Sequence, residues 1–107
     1  MFFTTTFTEN QSINHPVFSE NGIQVSIKRE DLIHPKVSGN KYRKLKYNLI
    51  AAKKENHTTI LTFGGAFSNH LAAVAAAGKA MGFKTIGVVR GQELIKVAHH
   101  NPTLSYC

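Results

Sequence analysis

The sequence has a single cysteine in 107 residues. That excludes a disulfide framework and any multi-cysteine zinc site. No apolar run approaches the ~18 residues that a membrane span needs. The opening MFFTTTFTEN lacks a basic segment, and threonines interrupt its apolar residues, so it makes a poor secretory signal. A soluble chain in the reducing cytoplasm is the expectation. Internal repeats and low-complexity linkers are absent. Acids are scarce: six Asp and Glu stand against thirteen Lys and Arg, a formal charge of +7. That excess suits nucleic acid or a small anionic ligand. Hydrophobic residues reach 42%, too many for a disordered tail.

What is present reads as α/β. Residues 1–22 hold six Ser/Thr, a proline and a glycine, and read as a loosely structured N-terminal segment. Residues 23–55 read as a strand followed by a lysine-bearing helix. Ile23, Val25 and Ile27 alternate with polar residues, the period of a half-buried strand. Lys28 to Asp31 is a polar strand end. His34-Pro35 disfavours helix at residue 34. The helix is expected to start near Asn40, with Asn40 as its N-cap after Gly39. Tyr42, Leu45, Leu49 and Ala52 form its apolar stripe. Residues 56–94 read as a βαβ unit. Thr59 to Phe63 is expected to be a short buried strand ending in Gly64-Gly65. The helix Asn69 to Met81 is apolar on nearly every face and stops at Gly82. A strand follows from Lys84 to Val89. The two strands should be parallel. Residues 95–107 read as an irregular tail. A parallel sheet wants helices on both faces, and this one has too few. The organisation resembles the front of a larger α/β protein.

Two segments carry chemistry. In Ser38-Gly39-Asn40-Lys41-Tyr42-Arg43-Lys44-Leu45, Lys41 falls at a helix N-terminus beside other cations. The helix dipole and those cations disfavour a protonated amine there. Such a lysine is a usable nucleophile toward an aldehyde. The same residues also fit a plain solvated basic face. In Gly64-Gly65-Ala66-Phe67-Ser68-Asn69-His70, a glycine pair leaves a strand and opens a helix. Free N–H groups and close approach to a ligand follow, at the strand ends where α/β sheets bind ligands. Simple capping by Ser68 or Asn69 is the bland alternative. Neither a P-loop nor Gly-x-Gly-x-x-Gly is present. The six histidines show no His-x-x-x-His spacing, so no metal is expected. His70 alone sits on a motif. Cys107 is terminal and expected to be chemically idle.

Together with Lys28-Arg29-Glu30-Asp31, Ala75-Ala76-Ala77-Gly78 and Arg90-Gly91, these segments resemble the 1-aminocyclopropane-1-carboxylate deaminase / D-cysteine desulfhydrase family. The match runs over about residues 23–93, and Asn101 to Leu104 resembles a later family segment. The resemblance implies a partial three-layer α/β sheet of the tryptophan synthase β-like type and a pyridoxal 5'-phosphate cofactor. Residues 23–55 would belong to its large domain and 56–94 to its small domain. Lys41 would hold the cofactor covalently and move protons. Asn69 would bond the ring's 3′-oxygen, with Asn40 and His70 alongside. Ser68 would lie near the substrate carboxylate. The substrate would be a small amino acid, converted to a 2-oxo acid and ammonia. The family's later glycine-rich phosphate loop has no counterpart here. The chain alone is therefore expected to be inactive and poorly folded, and full-length relatives to be homo-oligomers. Nine of the thirteen cations lie between Lys28 and Lys54. A basic fragment binding polyanion or nucleic acid is the less favoured alternative, because interleaved aromatics are missing. A remnant that pairs with another chain through its sheet edge is a third.

Overall fold

The computed structural model describes residues 2–5 and 7–107, and of 97–99 the backbone only. Its centre is a β-α-β unit: β3 (Thr59–Gly65), α3 (Asn69–Met81) and β4 (Lys84–Arg90). The strands pair in parallel, from Thr59 beside Lys84 to Gly65 beside Arg90. Helix α3 starts under a Ser68 cap and stops at Gly82, whose left-handed φ of 79° ends it. Ile60, Thr62, Thr85 and Val89 point toward α3 and are half-buried. Gly78 makes the helix-strand contact close, since a Cβ there would collide with Thr85 Cγ2.

The other face of the sheet is bare. Leu61, Phe63, Ile86 and Val88 are 55%, 69%, 42% and 44% exposed. The strand read as buried is therefore buried on one side only. Among the described residues no layer covers the second side. The fold is a partial α/β one, as its incomplete coverage implied.

On the covered side, α2 (Asn40–Lys54) packs against α3. Tyr42, Leu45 and Leu49 are buried with Ala73, Val74 and Ala77, the stripe that its spacing predicts. Phe3, Ile33, Val37 and Phe83 complete this core.

The N-terminal segment is not loose. Phe3 is buried and meets the Tyr42 ring edge-on at 5.0 Å between centroids. The Thr5 N–H donates to the Tyr42 hydroxyl at 3.0 Å. Downstream, β1 (Asn10–Ile13), α1 (Pro16–Glu20) and β2 (Val25–Lys28) form an antiparallel hairpin with a helical crossover. Scattered Ser and Thr hid this because the long-range partner, Tyr42, lies far along the chain. The tail is also regular: a 3-10 stretch at Gln92–His100 leads to α4 (Pro102–Tyr106). Asn101 Oδ1 caps α4 by accepting from the Thr103 and Leu104 N–H groups. No helix of the described residues is long and apolar enough to cross a membrane.

Candidate active site

The lysine helix begins with an unusual backbone turn. Gly39 holds φ 62° and ψ −152° and takes the cap position. Asn40 is the first helical residue, so it is not the cap that its identity suggests. Its Oδ1 instead accepts from Lys41 Nζ at 2.7 Å. The amine of Lys41, a half-buried residue, is thereby held at the first turn.

Glu30 anchors this turn from outside. Its carbonyl accepts the Gly39 N–H at 2.8 Å. Its carboxylate accepts from Arg43 Nε at 2.6 Å and Nη2 at 2.8 Å, and from the Thr8 hydroxyl at 2.5 Å. The Arg43 and Thr8 hydrogen bonds, in that order, hold its carboxyl at about 2, well below the usual 4.5. One acid thus ties the N-terminal segment, the loop before α2 and the first turn of α2. The sequence marks Glu30 only as part of a polar strand end. Its proximity to Arg43, thirteen residues on, is a tertiary fact.

The second segment lies at the carboxyl end of β3, where α3 begins. Gly64 lets α3 seat there: a Cβ would fall 2.7 Å from Leu71 Cγ and 2.9 Å from Ser68 Oγ. Ser68 Oγ accepts from the Leu71 N–H at 3.4 Å and caps the helix. Its own hydroxyl proton stays available. Asn69 is exposed, and its amide has no partner among the described residues. His70 Nε2 lies 2.8 Å from the Thr62 hydroxyl. Burial pushes the His70 pKa down, and the charges of Lys41 and Lys44 push it further. The Thr62–His70 contact ties β3 to the first turn of α3, which also carries Ser68 as its cap and Asn69. Thr62 was not legible as a site residue. Its one signal is the strand alternation that aims it at α3.

His34 has a structural task. Its Nδ1 accepts from the Lys36 and Val37 N–H groups, each at 3.1 Å, and its ring stacks on Tyr42. Burial raises the Cys107 thiol pKa, which disfavours the reactive thiolate.

No family model matches the chain. It is 38% identical over 77 residues to a Pyrococcus abyssi protein assigned as a 1-aminocyclopropane-1-carboxylate deaminase, covering 72% of this chain and 23% of that one. It is 35% identical over 75 residues to the bifunctional D-cysteine desulfhydrase/1-aminocyclopropane-1-carboxylate deaminase, mitochondrial, of Arabidopsis thaliana, covering 70% and 19%. It is 39% identical over 79 residues to nocardicin C-9' epimerase of Nocardia uniformis, covering 74% and 24%. The solved structure of an ACC deaminase homologue overlays it with a TM-score of 0.71 at 36% identity, over 83% of this chain and 27% of that one. The chain spans about a quarter or less of the curated relatives it matches.

Proposed function

We propose, from the premise that this chain is a relative of the 1-aminocyclopropane-1-carboxylate deaminase / D-cysteine desulfhydrase proteins over part of their length, that it is the lysine-bearing portion of a pyridoxal-phosphate lyase. The full protein would turn a small amino acid, the cyclopropane amino acid or D-cysteine, into a 2-oxo acid and ammonia. The 107-residue chain by itself would be inactive. When bound, the cofactor supplies an electron sink at the amino acid's α-carbon.

The donor set fits the aldehyde and ring end of such a group. Lys41 offers an amine already oriented by Asn40. Asn69 offers a free amide for a ring oxygen. Asn40 holds the lysine amine, and His70, held toward neutrality, contributes hydrogen bonding without competing charge. Ser68 accepts from Leu71 and can donate its own proton to a substrate carboxylate. Gly65 keeps the approach open, since nothing lies within 4 Å of where its Cβ would be. Lys41 would hold the cofactor's aldehyde through its amine, and when free that amine would accept or return a proton at the substrate's α-carbon. Relatives bearing this portion are named as deaminase, desulfhydrase and epimerase. The reading therefore gives these residues the steps such reactions share, and leaves the choice among reactions to the remaining length.

The observation that carries the reading is the placement of Lys41 in the first turn of α2, directly after the Gly39 turn and with its amine donating to Asn40 Oδ1. The test is reductive trapping: pyridoxal phosphate and borohydride, then peptide mass mapping. Label should concentrate on Lys41, and Lys41→Ala should remove most of it. Label spread evenly over Lys41, Lys44 and Lys46 would overturn the reading.

A further inference from the structure

The proposed chemistry does not use the Thr62 hydroxyl. Thr62 lies on the α3 side of β3 and is half-buried. Its hydroxyl stands 2.8 Å from His70 Nε2 and has no other partner among the described residues. This use of Nε2 sets His70 apart from two other histidines. His15 Nδ1 accepts the Val17 N–H, and His34 Nδ1 accepts the Lys36 and Val37 N–H groups. Those rings spend Nδ1 on the backbone, so when neutral they carry the proton on Nε2. His70 Nδ1 has no partner among the described residues.

Two tautomers satisfy the contact. If Nε2–H donates to the Thr62 oxygen, the hydroxyl proton is left without an acceptor in the layer between β3 and α3. If the hydroxyl donates to a bare Nε2, only an oxygen lone pair goes unused. The stranded donor is the costlier outcome. Burial and the charges of Lys41 and Lys44 favour the neutral ring, which alone can leave Nε2 bare. We propose that Thr62 is a positioning residue: its hydroxyl donates to Nε2 and fixes His70 as the Nδ1–H tautomer, so that the ring offers a proton donor to an anionic oxygen of the ligand bound where α3 begins. A donor suits that charge, where a bare nitrogen would repel it. The free Asn69 amide adjoins His70, and nothing lies within 4 Å of where a Gly65 Cβ would be. The ligand's nature rests on the reading of Lys41 given above; the tautomer stands without it.

The test has two arms. In the first, the chain carries isotope-labelled histidine and no cofactor is added. Long-range proton–nitrogen NMR spectra, recorded above the ring's lowered pKa, tell a protonated ring nitrogen from a bare one. His70 should carry its proton on Nδ1. A free imidazole in water favours Nε2, so exposure alone would not give this result. Thr62→Ser should keep the Nδ1–H ring. Thr62→Val, which preserves the branched shape without the hydroxyl, should return it to the Nε2–H form. In the second arm, labelling of Lys41 by pyridoxal phosphate and borohydride is followed against cofactor concentration. Half-labelling should need roughly tenfold more cofactor in Thr62→Val, the loss of one charge-assisted hydrogen bond, and no more than wild type in Thr62→Ser. An Nε2–H ring in the wild-type chain overturns the proposal. So does a tautomer indifferent to Thr62→Val, or a Thr62→Val chain that takes the cofactor as readily as wild type. An Nδ1–H ring together with label spread over several lysines supports the role of Thr62 and overturns only the reading of Lys41.

Discussion

Replacing Gly39 with alanine tests the backbone that launches the lysine helix. At φ 62° and ψ −152°, Gly39 lies outside the left-handed helical well, where ψ is positive. It occupies a region that essentially only glycine visits. An added Cβ would meet nothing within 4 Å. No packing clash contributes, so the cost is backbone strain of about 1–3 kcal/mol. The lower entropy of unfolded alanine returns about 0.4–1 kcal/mol. The net loss is about 1–2 kcal/mol, or roughly a 5- to 30-fold rise in the unfolded-to-folded ratio. With a urea slope near the low end of ~1–3 kcal/mol per molar, the midpoint should fall by about 1 M. Urea titration followed by far-ultraviolet circular dichroism reads this directly. Asparagine should not rescue, because it relieves left-handed helical sites and ψ here is of the wrong sign. D-Alanine, placed by chemical synthesis, should raise the midpoint. The mirror image of this backbone is close to polyproline II, an ordinary conformation for one chirality. An L-alanine protein as stable as wild type, or a D-alanine protein less stable than it, would refute the reasoning.

Three further outcomes are expected. Gly78→Ala should destabilise by about 1–3 kcal/mol through overpacking against the stiff Thr85 side chain. Adding Thr85→Ser removes the colliding methyl, so the helix preference for alanine should recover most of the loss; a double-mutant cycle with no coupling would dismiss the contact. The Glu30 carboxyl is lowered in the folded chain, so its contribution is intact above the ordinary 4.5 and disappears as pH falls toward about 2. The urea-midpoint gap between wild type and Arg43→Gln should accordingly narrow across that window, and a gap unchanged to the acid end would contradict the ion pair's role. Removing a cation near His70 makes its protonation easier, so Lys41→Ala and Lys44→Gln should each raise its pKa toward 6.5. Proton NMR titration of the His70 ring measures this, and a pKa that moves in neither variant would separate the two helix starts.

The βαβ unit was readable because each of its signals is local. Ser68, Gly82 and the alanine-rich run mark α3 within a residue of its observed ends. The stripe of Tyr42, Leu45 and Leu49 needs only the helical period to be seen. Phe3 and Thr5 were unreadable because their partner is Tyr42, and no local pattern announces a pairing across that separation. The same holds for Glu30 with Arg43 and for His70 with Thr62. Asn40 was misplaced by one residue. Side-chain identity favours asparagine as a cap, but Gly39 alone tolerates the backbone at that point.

By itself, then, the sequence determined the periodicities, the helix stops and the order of Lys41, Ser68, Asn69 and His70 along the chain. These follow from single-residue preferences and short repeats. Only the tertiary structure decided that α2 packs against α3, that Glu30 braces the start of α2, and that Leu61, Phe63, Ile86 and Val88 stand uncovered. Alternation says that a strand has two faces. Which face finds a partner depends on what other elements exist to pack there, and that is a property of the whole assembly of layers.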